Sequence, residues 1–171
     1  RARTMDPTNA QAAVGLAILK MNESSDAADV DSVKTSMELL RDAYLEDQSN
    51  PMALNHLANH FFWRGDMERV KDFCRKSHET TTHSGMRSEA LLLLARAHHK
   101  SGDKENLLKA HQYYKDAKIA FIKQYQIDSG KGTNMSKEDK AKIPLPVLLL
   151  VGLAQMDLIH GKYSKRRSSS W

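Results

Sequence analysis

The sequence predicts an all-α fold of antiparallel helix pairs stacked into a repeating array. Three observations predict it. Apolar residues recur at helical rather than alternating spacing almost from end to end. Leu, Ala and Met are plentiful while aromatics make up 6% of the 171 residues, a balance that favours helix over sheet. One register also repeats: Leu-Ala stands at 16–17, 57–58, 94–95 and 153–154, with apolar Ala13, Leu54, Leu91 and Leu150 three residues before.

Helices are expected near 8–21, 31–46, 51–63, 67–79, 88–100, 106–126 and 146–160. Four of them carry the Leu-Ala register, where two apolar residues make a stripe and the alanine lets a neighbouring backbone come close. Their partners carry a second pattern spaced four then three: Ser36, Leu40, Ala43; Val70, Cys74, Ser77; Ala110, Tyr114, Ala117. Asn50 and Pro51 read as N-cap and first-turn proline of the third helix. Gly65, Gly102 and Gly161 each follow a register leucine by eight residues and are expected to end a helix in the left-handed conformation. Asp66 and Asp103 are then placed to cap the helix that follows.

These pairs match the helix–turn–helix unit of tetratricopeptide repeats, whose period is about 34 residues. Successive register leucines lie 41, 37 and 59 residues apart, so each unit holds extra residues. The excess falls in "NESSDAADV", in "TTTHSGMR" with "KEN", and in "DSGKGTNMSKEDKAK". The expected architecture is a right-handed solenoid over 1–161, with units near 8–46, 51–79, 88–126 and 146–161 and an insertion loop at 127–144. "RARTM" reads as the end of an earlier helix and the last unit stops after one helix, so the chain is expected to be part of a longer array. Residues 162–171 read as a basic, serine-rich disordered tail.

Bulk properties narrow the function classes. The formal charge is +5, but Lys162, Lys165, Arg166 and Arg167 supply four of those charges. Nucleic-acid binding is therefore expected only through that tail, if at all. The single cysteine, Cys74, excludes an intrachain disulfide and fits a reducing compartment. No charged-then-apolar leader opens the chain, and the apolar run at 143–159 is too short and too interrupted by Pro144, Pro146, Gly152 and Asp157 to span a bilayer. A soluble intracellular protein is expected.

Chemistry-like motifs are weak. His56 and His60 have the four-residue spacing of a helical metal site, but Leu57 replaces the glutamate of H-E-x-x-H. None of the six other histidines forms a second paired motif with cysteines, so their expected place is beside the core stripe. "SGKGT" (129–133) resembles a phosphate loop but has Tyr125 and Gly132 where that loop needs Gly and Ser or Thr. Cys74 occupies a small buried position and no serine sits in a G-x-S-x-G turn. Neither an enzyme, a metal nor a cofactor is expected.

Partner binding is the better expectation. In tetratricopeptide arrays the first helix of each unit lines the concave surface. Counting from Leu54 and Leu91, that face takes Asn55, Asn59, Phe62, Trp63, Arg96, His99 and Lys100, with Leu92. Amides suit a peptide backbone, the cations suit carboxylates, and the rings suit apolar side chains.

The stretches "VGLAILKMN", "LLRDAYLEDQSNPMALNHLANHFFWRGD" and "GLAQMDLIHGK" carry a closer resemblance. Over roughly residues 7–162 the sequence resembles the tetratricopeptide scaffold subunit of the RNA polymerase II-associated Paf complex, "NPMALNHLANHFF" being its most specific run. That resemblance implies a non-enzymatic nuclear scaffold that holds other Paf subunits and, through them, RNA polymerase II. It also implies support of elongation and of co-transcriptional histone modification. Gln48, Asp157 and the polar "YSKRRSSSW" depart from the pattern. Two other readings stand beside it: a co-chaperone-type module binding acidic C-terminal peptides, and the recruitment array of an enzyme whose catalytic domain lies elsewhere.

Overall fold

The computed structural model describes residues 9–23, 30–130 and 135–168, and every regular element among them is a helix. They are α1 (Ala10–Glu23), α2 (Val30–Glu46), α3 (Pro51–Arg64), α4 (Met67–Thr80), α5 (Ser84–Ser101), α6 (Lys104–Asp128), α7 (Lys137–Ala141) and α8 (Val147–Ser168). The chain forms two compact units that meet in sequence between Thr81 and Thr82. In the first, α1 packs on α2, α2 on α3 and α3 on α4; in the second, α5 packs on α6 and α6 on α8. These are helix pairs of tetratricopeptide type.

The local chemistry that starts and stops the helices is the one expected. Asn50 accepts hydrogen bonds from the amides of Met52 (3.1 Å) and Ala53 (3.0 Å), with Pro51 in the first turn, where it has no donor to lose. Gly65 and Gly102 sit at φ +81° and +76°, the left-handed region that only glycine enters without a steric cost. Asp66 then accepts from the Arg69 amide at 3.2 Å, and Asp103 from the Asn106 amide at 3.0 Å. Two pairs of helices are thus reversed by the same Gly-Asp device.

Side chains of the second helices close each pair. Ser36, Leu40, Ala43, Val70, Cys74, Ser77, Ala110, Tyr114 and Ala117 are all buried. In the first unit Leu40 and Ala43 of α2 join Ala13, Val14 and Ala17 of α1 and Ala53 and Leu57 of α3 in one cluster. In the second, Ala110, Tyr114 and Ala117 of α6 gather Leu91 and Ala95 of α5 with Leu149 and Met156 of α8. The small residues let the helix axes approach while Leu40 and Tyr114 fill the space between them.

Three expectations need correction. First, α5 begins at Ser84 rather than near residue 88, because His83 caps it through the Met86 amide at 3.3 Å. Second, the insertion is not one loop: α6 runs to Asp128 and α7 lies within it, capped by Ser136 at 3.0 Å. Third, α8 does not stop at Gly161 but runs on to Ser168. A mid-helix glycine costs only about 1 kcal/mol, and the Lys and Arg residues beyond it are good helix formers. The tail is therefore helical to Ser168; residues 169–171, like "RARTM" and 131–134 of the "SGKGT" stretch, lie outside the described residues.

The register of α8 also differs. Leu150 and Ala154 were expected in the core, yet Leu150 is 48% exposed and Ala154 is exposed. The buried face is instead Leu149, Gly152 and Met156. Tyr114 of α6 decides this: a Cβ on residue 152 would collide with its ring, so only a glycine lets α8 lie there.

Candidate interaction surface

On α3, the expected face separates into an inner and an outer part. Asn55 is buried, and its side-chain oxygen accepts from the Ser77 hydroxyl of α4 at 2.6 Å. The Asn55 amide therefore holds two helices together instead of facing a partner, a correction to its expected place. The same hydroxyl also reaches the Pro51 carbonyl at 3.4 Å, so the buried Ser77 finds its acceptors within the pair. Asn59, one turn on, is exposed. Phe62 is half-buried, and Trp63 is 75% exposed with its ring edge-on to Phe62 at 6.0 Å.

His60 of α3 lies against an aromatic ring. It is half-buried, and its ring meets Phe61 edge-on at 5.5 Å. Burial, with the Arg64 charge adding to it, holds the His60 pKa below the ordinary histidine value. No group of three His, Cys, Asp or Glu side chains converges as metal ligands among the described residues.

Phe61 in turn stacks on Phe73 at 5.6 Å with planes 7° apart, and Tyr44 meets Phe73 edge-on at 5.5 Å. Two cations cap this ladder: the Arg69 guanidinium lies 4.8 Å from the Phe61 centroid, and the Lys76 ammonium 5.3 Å from that of Tyr44. The ladder ties α2, α3 and α4 together and was missed by the repeat reading. Its signal was adjacency, since Tyr44 directly follows Ala43 and Phe73 directly precedes Cys74.

On α5, Arg96 and His99 are half-buried and Lys100 is exposed. The His99 ring reaches the Tyr114 hydroxyl of α6 at 3.4 Å and stands edge-on to that ring. Burial lowers the His99 pKa and raises that of Tyr114, the latter opposed by the Arg96 charge. Leu92 packs against the core cluster of this unit. The preceding residue of the helix, His98, is the buried member of a tighter network. Its Nδ1 lies 2.5 Å from the Asn106 side-chain oxygen, while the Asn106 amide donates to Asp103 at 2.5 Å. Asn106 has thereby used its NH₂ on the carboxylate, so His98 Nδ1 carries the proton it donates. His98 also stacks on Tyr113 at 5.4 Å.

Cys74 is buried, and burial pushes its thiol up to about 12, so it stays protonated and inert. In the first unit α3 carries Asn59, Phe62 and Trp63; in the second, described by itself, α5 carries Arg96, His99 and Lys100.

Comparison with known proteins fits this picture. No family model matches the sequence. RNA polymerase-associated protein CTR9 of Caenorhabditis elegans is 31% identical over 120 residues, 70% of this chain and 10% of that protein. Protein CTR9 homolog of Arabidopsis thaliana is 33% identical over 114 residues, 67% of this chain and 10% of that protein. The chain thus spans about a tenth of the length of these relatives.

Proposed function

We propose, from the premise that this chain is a CTR9-like segment, that it serves as a protein–protein scaffold within the Paf complex. The observation that carries the reading is the coincidence of two things. About a third of the residues are shared with CTR9 proteins over two thirds of the chain, and that chain folds into tetratricopeptide-type helix pairs. In this reading the segment acts in the nucleus, holds other Paf subunits and through them RNA polymerase II, and so supports elongation and co-transcriptional histone modification. Its role is structural and not enzymatic.

The surface supports that reading through its chemistry. Trp63 and Phe62 offer rigid apolar area at little entropic cost, the residue types that dominate interface energetics. Arg96 and Lys100 add positive charge suited to carboxylate-bearing segments. The place where a clamp for acidic C-terminal peptides needs a lysine holds Asn55, which is buried in its own pair, and this favours the scaffold over that alternative.

The test is affinity purification of the endogenous protein from nuclear extract. RNA polymerase II and Paf subunits are expected in the purified material, and Trp63→Ala with Arg96→Ala should reduce at least one of them. Purification of chaperones without polymerase would overturn the reading.

A further inference from the structure

We propose that His111, His160 and Asp157 form a proton-sensitive latch that lets α8 loosen from α6 in mild acid while the α5–α6 pair stays closed. The inference stands on the contact between α6 and α8 and does not rest on the CTR9 relationship. Gly152, Met156 and His160 fall at i, i+4 and i+8 of α8, one line along the helix. Gly152 lies against the Tyr114 ring, Met156 is buried in the core cluster of the second unit, and His160 meets His111 of α6. The first two contacts hold no group that titrates in mild acid. The third is made of two imidazoles, the side chain that does.

The pair is built for neutral rings. The His111 and His160 centroids are 4.5 Å apart, with the planes tilted by 41°. The His111 side chain is mostly buried, and its Nε2 makes no hydrogen bond, although the Asp157 carboxylate lies 3.4 Å away. An imidazolium fits this place badly. It has lost water, it faces Lys115 on its own helix and His160 across the contact, and burial is the largest of these costs. Once one ring is charged, the other is opposed by like charge at contact distance. Asp157 favours the charged form, but its side chain is 73% exposed, so water screens it. The closed contact therefore takes a proton less readily than a free histidine does, and acid favours the open one.

The histidines of α5 face partners that tolerate a proton. His98 Nδ1 already donates to the Asn106 side-chain oxygen, and a charged ring keeps that bond. Burial opposes a charge on His99 too, but its Nδ1 lies 3.4 Å from the Tyr114 hydroxyl, whose oxygen can accept from the protonated ring. On that side the Arg96 charge also acts on Tyr114. The Gly102–Asp103 reversal ties α5 directly to α6, whereas α8 follows α6 across residues 129–146. Acid therefore weakens the α6–α8 contact first.

The test is amide hydrogen exchange of the full chain at pH 7.5 and 5.5, corrected for the intrinsic pH dependence of exchange and read helix by helix. Amides between Val151 and His160 of α8 are expected to lose protection several-fold at the lower pH, while those of α5 keep theirs. Two substitutions move that loss in opposite directions. Asp157→Asn removes the group that favours the charged ring and should enlarge it; His160→Gln removes the like charge and should reduce it. His99→Gln, on the other side of Tyr114, should leave it in place. Circular dichroism at pH 7.5 checks that each variant is folded. Equal loss in α5 and α8 would overturn the proposal, because acid would then unfold the unit as a whole. Unchanged protection of α8, a shift of the same sign from Asp157→Asn and His160→Gln, or abolition of the loss by His99→Gln would overturn it too.

Discussion

Helices α3 and α8 carry the same register, Leu54-Leu57-Ala58 and Leu150-Leu153-Ala154, yet they use it differently. In α3 all three residues are buried between α2 and α4; in α8 Leu153 is half-buried and the other two face outward. The Leu-Ala motif therefore marks a helix as the first of a pair, but the neighbours present decide which side of it is covered. For α8 the neighbour is α6, and the contact that wins is Gly152 against Tyr114.

The contrast can be broken by mutation. Leu54→Ala opens a cavity in the first unit and should cost about 2–5 kcal/mol, whereas Leu150→Ala should change stability by less than about 0.5 kcal/mol. Urea unfolding followed by circular dichroism measures both, and equal effects would mean that α8 is covered after all. Gly152→Ala, although it raises helix propensity, should destabilise by about 1–3 kcal/mol through overpacking on Tyr114. Gly15→Ala is its mirror: nothing lies within 4 Å of an added Cβ in α1, so a gain of about 0.5–1 kcal/mol is expected. The same urea unfolding reads the two opposite signs.

Acid sharpens the difference by a smaller amount. His99 and His111 in the second unit and His60 in the first have pKa values held low in the folded chain, in each case chiefly by burial. For His111 the Lys115 and His160 charges add to this, and Asp157 opposes it. The unfolded chain then binds protons more readily, so this stability is complete above the unfolded histidine pKa of about 6.5 and is lost as pH falls through the folded values. Urea midpoints at pH 7.5 and 5.5 should show the loss, and His111→Gln should reduce it. A midpoint unchanged between the two pH values would contradict the burial of these rings.

Much of the fold was legible because it is local chemistry. Asn50-Pro51 and the Gly-Asp reversals need only neighbours in sequence, and the buried triads follow from helical spacing. What could not be read depends on contacts across helices. Asn55 looked like a groove residue because an exposed and a buried amide are identical in sequence; only Ser77, 22 residues away, tells them apart. The α8 register was hidden because a true Leu-Ala copy competed with Gly152, whose reason lies on α6. Of the candidate surface, Asn59 and Trp63 are exposed on α3 and Lys100 on α5.

The Gly65-Asp66 and Gly102-Asp103 reversals also govern how the chain acquires its structure in time. Each closes a loop of only two residues, so bringing the two helices together costs little chain entropy. Contacts such as His98 to Asn106 span eight residues, and the topology of such a pair is of the fast-folding, low-contact-order kind. A pair such as α3–α4 can therefore form as soon as Thr80 has left the ribosome, without waiting for α5–α8. Among the described helices α8 packs on α6 across residues 129–146, so that contact closes a longer loop and forms later than the two-residue reversals.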